Sequence, residues 1–216
     1  MSQREDPSSD SLEKVASEVK VCLKCPLSQS RTHVVPGEGA GAARIMFVGE
    51  GPGFHEDRLG RPFVGASGQY LEQVLATIGL TRLQVYITNV VKCRPPGNRD
   101  PMPEEIAACS GYLTRQLALI QPDIVVTLGR HSMERFFPGQ SISRIHGRPK
   151  RVGNVYYLPL FHPAAALRRP EWRTALEEDI KQIPKLLAEI DQARAPAHEA
   201  DDGPGSDDEF QQLSLF

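Results

Sequence analysis

Four near-continuous apolar runs of strand length, residues 44–48, 85–88, 124–128 and 155–158, divide the chain, and helical patterns fill the intervals. Those patterns cover residues 69–78, 103–119, 131–137 and 171–188, several opened by a Ser, Pro or acidic residue suited to a first helical turn. Strands alternating with helices predict an α/β fold in which helices cover both faces of a parallel sheet. The expected architecture is a three-layer sandwich with a central, mostly parallel four-stranded sheet flanked by helices. No internal repeat interrupts the pattern. The folded domain is expected over residues 12–192, after a disordered N-terminus over residues 1–11. From residue 195 the chain turns to Ala, Pro, Gly, Ser and Asp, so residues 193–216 are expected to form a disordered acidic tail.

In an open parallel sheet the binding crevice lies beyond the carboxyl ends of the strands. The first run leads into Gly49-Glu50-Gly51-Pro52-Gly53, the second into Asn89 and Cys93, the third into Gly129-Arg130-His131, and the fourth into Phe161-His162-Pro163. Topology therefore predicts Glu50, Asn89 and His162 on one rim. Each has a plain explanation when taken singly: a glycine turn, a turn-forming asparagine, a loop histidine, and in Phe63 a core aromatic. Convergence beside cysteines and arginines is what argues for a site. Gly49-x-Gly51-x-Gly53-Phe54 does not make a dinucleotide fingerprint, so no nucleotide cofactor is expected.

At 216 residues the length suits one domain, and no apolar run reaches the roughly 18 to 20 residues that span a bilayer, so a soluble protein without a membrane partner is expected. The net charge of −2 speaks against a nucleic-acid partner until its distribution is read. Residues 201–216 carry −5 and residues 1–10 carry −2, which leaves +5 on residues 11–200. A modestly basic body with acidic ends is compatible with a local phosphate-binding face.

The chain has four cysteines: Cys22-x-x-Cys25, Cys93 and Cys109. Four thiolates suffice for one metal centre, and the spacing alone is equally consistent with zinc and with a cubane iron–sulfur cluster. Two disulfides and four unliganded thiols are the alternatives; residues 1–11 lack an apolar signal segment, which speaks for a reducing compartment and against disulfides. Arginine and proline crowd Cys93-Arg94-Pro95-Pro96-Gly97-Asn98-Arg99, so the centre is expected to brace a surface that meets something anionic.

Taken together, these stations resemble the uracil-DNA glycosylase superfamily, and most closely its family 4, the iron–sulfur branch of bacteria and archaea. They occur in order over about residues 20–190: Cys22-x-x-Cys25-Pro26-Leu27, Gly49-Glu50-Gly51-Pro52-Gly53 with Glu56-Asp57, Gly60-Arg61-Pro62-Phe63-Val64-Gly65, Thr88-Asn89 through Lys92-Cys93-Arg94-Pro95-Pro96, Cys109, and His162-Pro163-Ala164-Ala165. The resemblance implies a monofunctional enzyme of base excision repair that hydrolyses the N-glycosidic bond of deoxyuridine in DNA, releases uracil and leaves an abasic site. It implies a structural [4Fe–4S] cluster on Cys22, Cys25, Cys93 and Cys109. Glu50, Asn89 and His162 become the catalytic set. Phe63 becomes the ring that stacks on uracil, and Glu56 the acid that shapes the pocket. Gly51 belongs to the pocket where family 1 enzymes carry an aspartate for water. Glu50 is then the group that positions or polarises the water, or else a residue that hydrogen-bonds backbone and shapes the loop.

Two departures place the chain within the superfamily. A sister group that bonds covalently to DNA carries a Lys-Arg-Arg-Ile-His insertion soon after the asparagine strand, and it is absent between Asn89 and Cys109. The similar Ser143-Arg144-Ile145-His146-Gly147 comes later, where His146 is expected in a surface loop without a catalytic role. Family 5 lacks the acid in the first motif, and Glu50 argues against that placement.

Extruding a base from a duplex also requires a grip on phosphates. The candidates are Arg94, Arg99, Arg168, Arg169 and Ser67, with Leu167 either a wedge into the vacated stack or a core leucine. Gln212-Leu213-Ser214-Leu215-Phe216 resembles the pentapeptide by which bacterial repair proteins dock on the sliding clamp, which implies a bacterial, cytoplasmic, nucleoid-associated monomer. The rival readings are a non-catalytic, metal-bearing nucleic-acid adaptor tethered to that clamp, and a cofactor-dependent enzyme on a Rossmann-like sheet.

Overall fold

A computed structural model describes residues 10–195; the proposed clamp peptide, residues 212–216, lies outside the described residues. All four expected strands form, as β2 (Ile45–Gly49), β3 (Tyr86–Asn89), β4 (Ile124–Leu128) and β6 (Val155–Leu160). They are mutually parallel in the spatial order β3-β2-β4-β6. The sheet nevertheless has six strands, not four. β1 (Glu38–Gly39) pairs antiparallel with β3 at one edge, and β5 (Lys150–Val152) pairs antiparallel with β6 at the other. Neither edge strand carries an apolar signature. β1 is two residues long, and every residue of β5 is exposed. β5 covers only residues 155–157 of β6, so Pro159 lies past the hairpin, where a proline costs no ladder bond to β5.

Side chains alternate across the sheet, and both faces are buried. Ile45 and Phe47 of β2 face a core built with Leu71 and Leu75 of α4 (Ala66–Ala76), Leu176 of α9 (Pro170–Asp179), and Ile183 and Leu186 of α10 (Gln182–Arg194). Met46 and Val48 face the other core, with Val15 and Val19 of α1 (Leu12–Lys20) and Leu113 of α5 (Pro103–Ile120). Burial of each such side chain stabilises by about 1.5–3 kcal/mol, which is why the central strands read as unbroken apolar runs. Short helices α2 (Leu27–Ser30), α3 (Phe54–Leu59), α6 (Arg130–Glu134), α7 (Ile142–Ile145) and α8 (Pro163–Ala166) fill the connections.

The single helix expected over residues 171–188 is two helices, α9 and α10. Pro184 has no N–H to donate, and its ring would meet the carbonyl of residue 180 in a continuous helix, so the chain breaks between Asp179 and Gln182. The folded body also starts before residue 12. Ser11 caps α1 by accepting a hydrogen bond from the Lys14 N–H, and Asp10 pairs with Arg115 of α5 at 2.6 Å. Among the described residues no helix is long and apolar enough to cross a membrane.

Register sets the position of the site. Gly49 lies beside Asn89, and Leu128 beside Leu160, so β2, β3, β4 and β6 end close to one line. The residues that follow each strand, Glu50, Gly129 and Phe161-His162, are delivered with Asn89 to one edge of the sheet.

Candidate active site

A cleft of about 470 Å³ opens at this edge, and Glu50, Gly51, Glu56, Phe63, Ser67, Asn89, Arg99, His162 and Arg168 line it. Nine of the residues singled out from sequence thus share one wall. Arg94, Leu167 and Arg169 stand outside it. Arg94 bonds Asn98 at 2.6 Å and lies over the Phe54 ring, and Arg169 lies over Trp172. Leu167, at the end of α8, is 45% exposed, which removes the core-leucine reading.

Asn89 closes β3 and is 1% exposed, yet among the described residues its Oδ1 has no hydrogen-bond partner. A buried amide oxygen left unpaired costs about 1–3 kcal/mol, so the position is held against its own preference. Gly49 on the neighbouring strand makes room for it: a Cβ there would stand 2.3 Å from Asn89 Oδ1 and 2.7 Å from Phe63 Cζ. Lys92 anchors the same turn from beneath. Its ammonium, 1% exposed, donates to the Asn89 carbonyl at 2.8 Å, to Thr88 Oγ1 at 2.6 Å and to Gln116 Oε1 at 2.6 Å. Burial pushes its pKa down to about 7, while three acceptors match the three hydrogens of the charged form.

Phe63 adopts a left-handed backbone, φ +51°, unusual for a bulky residue. Two contacts hold it there. Arg82 donates to the carbonyls of Phe63 and Pro62 while pairing with Glu38, and α4 packs so closely that a Cβ on Gly68 would lie 1.9 Å from the Phe63 carbonyl oxygen. The phenyl ring stacks against His162, with centroids 5.6 Å apart and planes at 29°. His162 Nδ1 accepts a hydrogen bond from the Ala164 N–H at 3.1 Å, so the neutral ring carries its proton on Nε2. Burial pushes the His162 pKa down to about 4, partly opposed by the Glu56 carboxylate.

The two carboxylates divide their tasks. Glu56 is buried and accepts from the N–H groups of Gly53, Val64 and Gly65 at 3.0–3.1 Å, tying the glycine-rich loop to the Phe63 loop. Glu50 makes no such bond among the described residues. It faces His131, whose Nε2 is 3.9 Å from its Oε2 and 3.4 Å from Asp100 Oδ2. Burial raises the Glu50 pKa, His131 and Arg130 pull it down, and Asp100 pushes it up. Asp100, Arg82 and Lys92 had no role in the sequence reading, and His131 had only its place after the third strand.

His146 does not lie in a bland surface loop. It follows α7, its Nδ1 sits 2.6 Å from Asp179 Oδ2 of α9, and its ring packs 4.6 Å from Phe161. Phe161 stacks on Trp172 at 4.9 Å, so this group braces the residue next to His162 and stays out of the cleft.

Behind the asparagine strand the four cysteines line a second, small cavity between α1, α2 and α5. None is in a disulfide. Arg31 donates to Cys93 Sγ at 3.2 Å, and the Lys92 N–H to Cys109 Sγ at 3.3 Å. Burial, with Cys93 and Cys25 adding to it and Lys92 opposing, pushes the Cys109 thiol up to about 11. Four converging sulfurs, two of them with hydrogen-bond donors, suit a metal centre that supplies the positive charge thiolates need.

The model of the uracil DNA glycosylase superfamily matches residues 36–194 of the chain. A type-4 uracil-DNA glycosylase of Sulfurisphaera tokodaii is 53% identical over 82% of this chain and 85% of its own length. Type-4 enzymes of Saccharolobus solfataricus and Archaeoglobus fulgidus are 47% and 46% identical, over 83% and 82% of this chain and 88% and 94% of their own. The chain belongs to the uracil-DNA glycosylase superfamily and, within it, to the type-4 branch.

Gly49→Ala tests the pocket geometry. The added methyl must displace Asn89 or Phe63, at about 1–3 kcal/mol of stability and at least about a tenfold loss of activity on a uracil-containing oligonucleotide. Gly111→Ala, on a helix with nothing within 4 Å of the new methyl, is the control and should be neutral or stabilising in the same thermal-unfolding and activity assays.

Proposed function

We propose that the chain excises uracil from DNA as a monofunctional glycosylase in base excision repair, and the unpaired, buried Oδ1 of Asn89 in the cleft carries that reading. Uracil presents a donor at N3 and acceptors at O2 and O4. An amide that accepts from N3–H and donates to O4 pairs with it, whereas cytosine, with an acceptor at N3 and a donor at C4, leaves both amide groups unpaired. The neutral His162 ring offers its Nε2 proton to O2, where negative charge gathers as the bond to the sugar breaks. Phe63 supplies an aromatic wall, worth about 1–3 kcal/mol for a stacked base.

In the reaction the C1′–N1 bond breaks with its electron pair going to uracil, and a water oxygen bonds to C1′. Glu50 positions that water and accepts its proton, and the uracil anion takes a proton from solvent. The freedom of Glu50 from backbone hydrogen bonds, beside a fully engaged Glu56, supports the water role over loop shaping. No lysine lines the cleft among the described residues, which supports hydrolysis by water over a covalent lysine adduct. Arg99, Arg168 and Ser67 on the cleft wall, with Arg94 and the exposed Leu167 beside it, meet the DNA backbone and the vacated stack.

The cysteines hold a structural [4Fe–4S] cluster in this reading. Among the described residues the only His, Cys and carboxylate ligand atoms that gather in threes within 4.8 Å are those of Glu50, Asp100 and His131. No three of the sulfurs therefore lie mutually within 4.8 Å, whereas one tetrahedral zinc with Zn–S bonds of about 2.3 Å would hold all four roughly 3.8 Å apart. Held by Cys22, Cys25, Cys93 and Cys109, such a cluster would take no part in the bond cleavage and would tie the segment after α1 to α5 and to the segment after Asn89. The clamp peptide, residues 212–216, adds a tether to replicating DNA in the bacterial nucleoid, with the enzyme acting as a monomer.

Asn89→Ala and His162→Ala should each slow release of uracil from a labelled oligonucleotide by at least about tenfold at unchanged folding. Near-normal rates for both would remove the site assignment, and a DNA shift without alkali-labile sites in the wild type would favour the adaptor. Purified wild-type protein should be brown with broad visible absorption, and Cys93→Ser should lose that colour and most soluble yield; a colourless, zinc-containing, folded wild type would contradict the cluster. Deleting residues 212–216 should abolish binding to a bacterial sliding clamp while leaving excision on a short oligonucleotide intact.

A further inference from the structure

His131 lies in the first turn of α6, just past β4, so that strand delivers it to the same rim as Asn89 and His162. Its Nε2 lies 3.9 Å from Glu50 and 3.4 Å from Asp100, and that atom is buried without a hydrogen-bond partner. Arg130, the preceding residue, pairs with the same Asp100 carboxylate. We propose that His131 is a positioning residue for the reaction, holding the Glu50 carboxylate ionised and oriented toward the water while Asp100 opposes it from the other side. This rests on Glu50 being the water-positioning group.

The argument is electrostatic and geometric. Glu50 and Asp100 bring carboxylate oxygens within 4.8 Å of one another, and like charges at that range resist joint ionisation. An imidazole with its Nε2 near both carboxylates offsets the repulsion. Two other charged groups of the cleft make their hydrogen bonds away from Glu50: Arg99 forks onto Glu105, and Glu56 accepts from three backbone N–H groups. Arg168 lines the cleft from the His162 side. Arg130, His131 and Asp100 are therefore the groups that bias Glu50, and the directions of their effects agree: the first two favour its ionised form and the last disfavours it.

The two neighbours then act with opposite signs, which a purely structural role would not reproduce. Single-turnover uracil excision should be measured between pH 5 and 9 for the wild type, His131→Gln, Asp100→Asn and Glu50→Gln. His131→Gln should move the acid limb of the profile up by about one pH unit, so that its loss is larger at pH 6 than at pH 9, and Asp100→Asn should move it down. Glu50→Gln should lower the rate throughout and remove the limb. A uniform loss for His131→Gln with the limb in place would overturn the proposal while leaving Glu50 its role. A wild-type rate and limb for Glu50→Gln would overturn the role of Glu50 itself. Loss of wild-type activity in EDTA with recovery on adding Mn2+ would make the three side chains metal ligands and also overturn the proposal.

Discussion

One carboxamide oxygen, buried at the end of a parallel strand without a partner, is the constraint around which the cleft is organised. Asn89 Oδ1 is buried without a protein partner among the described residues, so surrounding contacts must hold it in place. Lys92 grips its carbonyl from below, the ladder with β2 fixes the strand, and the bare Cα of Gly49 keeps the space beside it open. In the proposed reading that cost is recovered when uracil brings its N3–H donor to this oxygen.

The cysteine centre and the cleft belong to one mechanical unit. Cys93 and Lys92 are adjacent: one points to the sulfur cavity, and the other's ammonium supports Asn89 while its N–H bonds Cys109. The backbone and side chain of Lys92 thus couple the position of Cys109 to that of Asn89. On the opposite side, Arg82 and Gly68 maintain Phe63 in its left-handed conformation, and Glu56 closes the loop between Gly53 and Gly65. Each wall of the cleft is fixed by a buried polar contact behind it.

Much of this was legible along the chain. Continuous apolar runs identify the four parallel strands because both faces of the sheet are covered, and the strand-end rule places Glu50, Asn89 and His162 together. The edge strands escaped because a two-residue strand and a wholly exposed one carry no periodic signal. The helix break at Pro184 was available in the sequence, because a proline lacks the N–H that a continuous helix needs at that position. His146 looked like a loop residue because its partners, Asp179 and Phe161, lie far along the chain or on another element.

The chain by itself determined the fold class, the family and the identity of the residues on the rim, since strand burial, cysteine spacing and motif order are local properties read in one dimension. Tertiary structure alone decided how the carboxylates divide their work. Whether Glu50 or Glu56 takes up the backbone amides depends on which loop folds over which, and whether His131 meets Glu50 depends on the lateral order of β2 and β4. Contacts between groups far apart in sequence are set by packing geometry, and that information exists only once the sheet has closed.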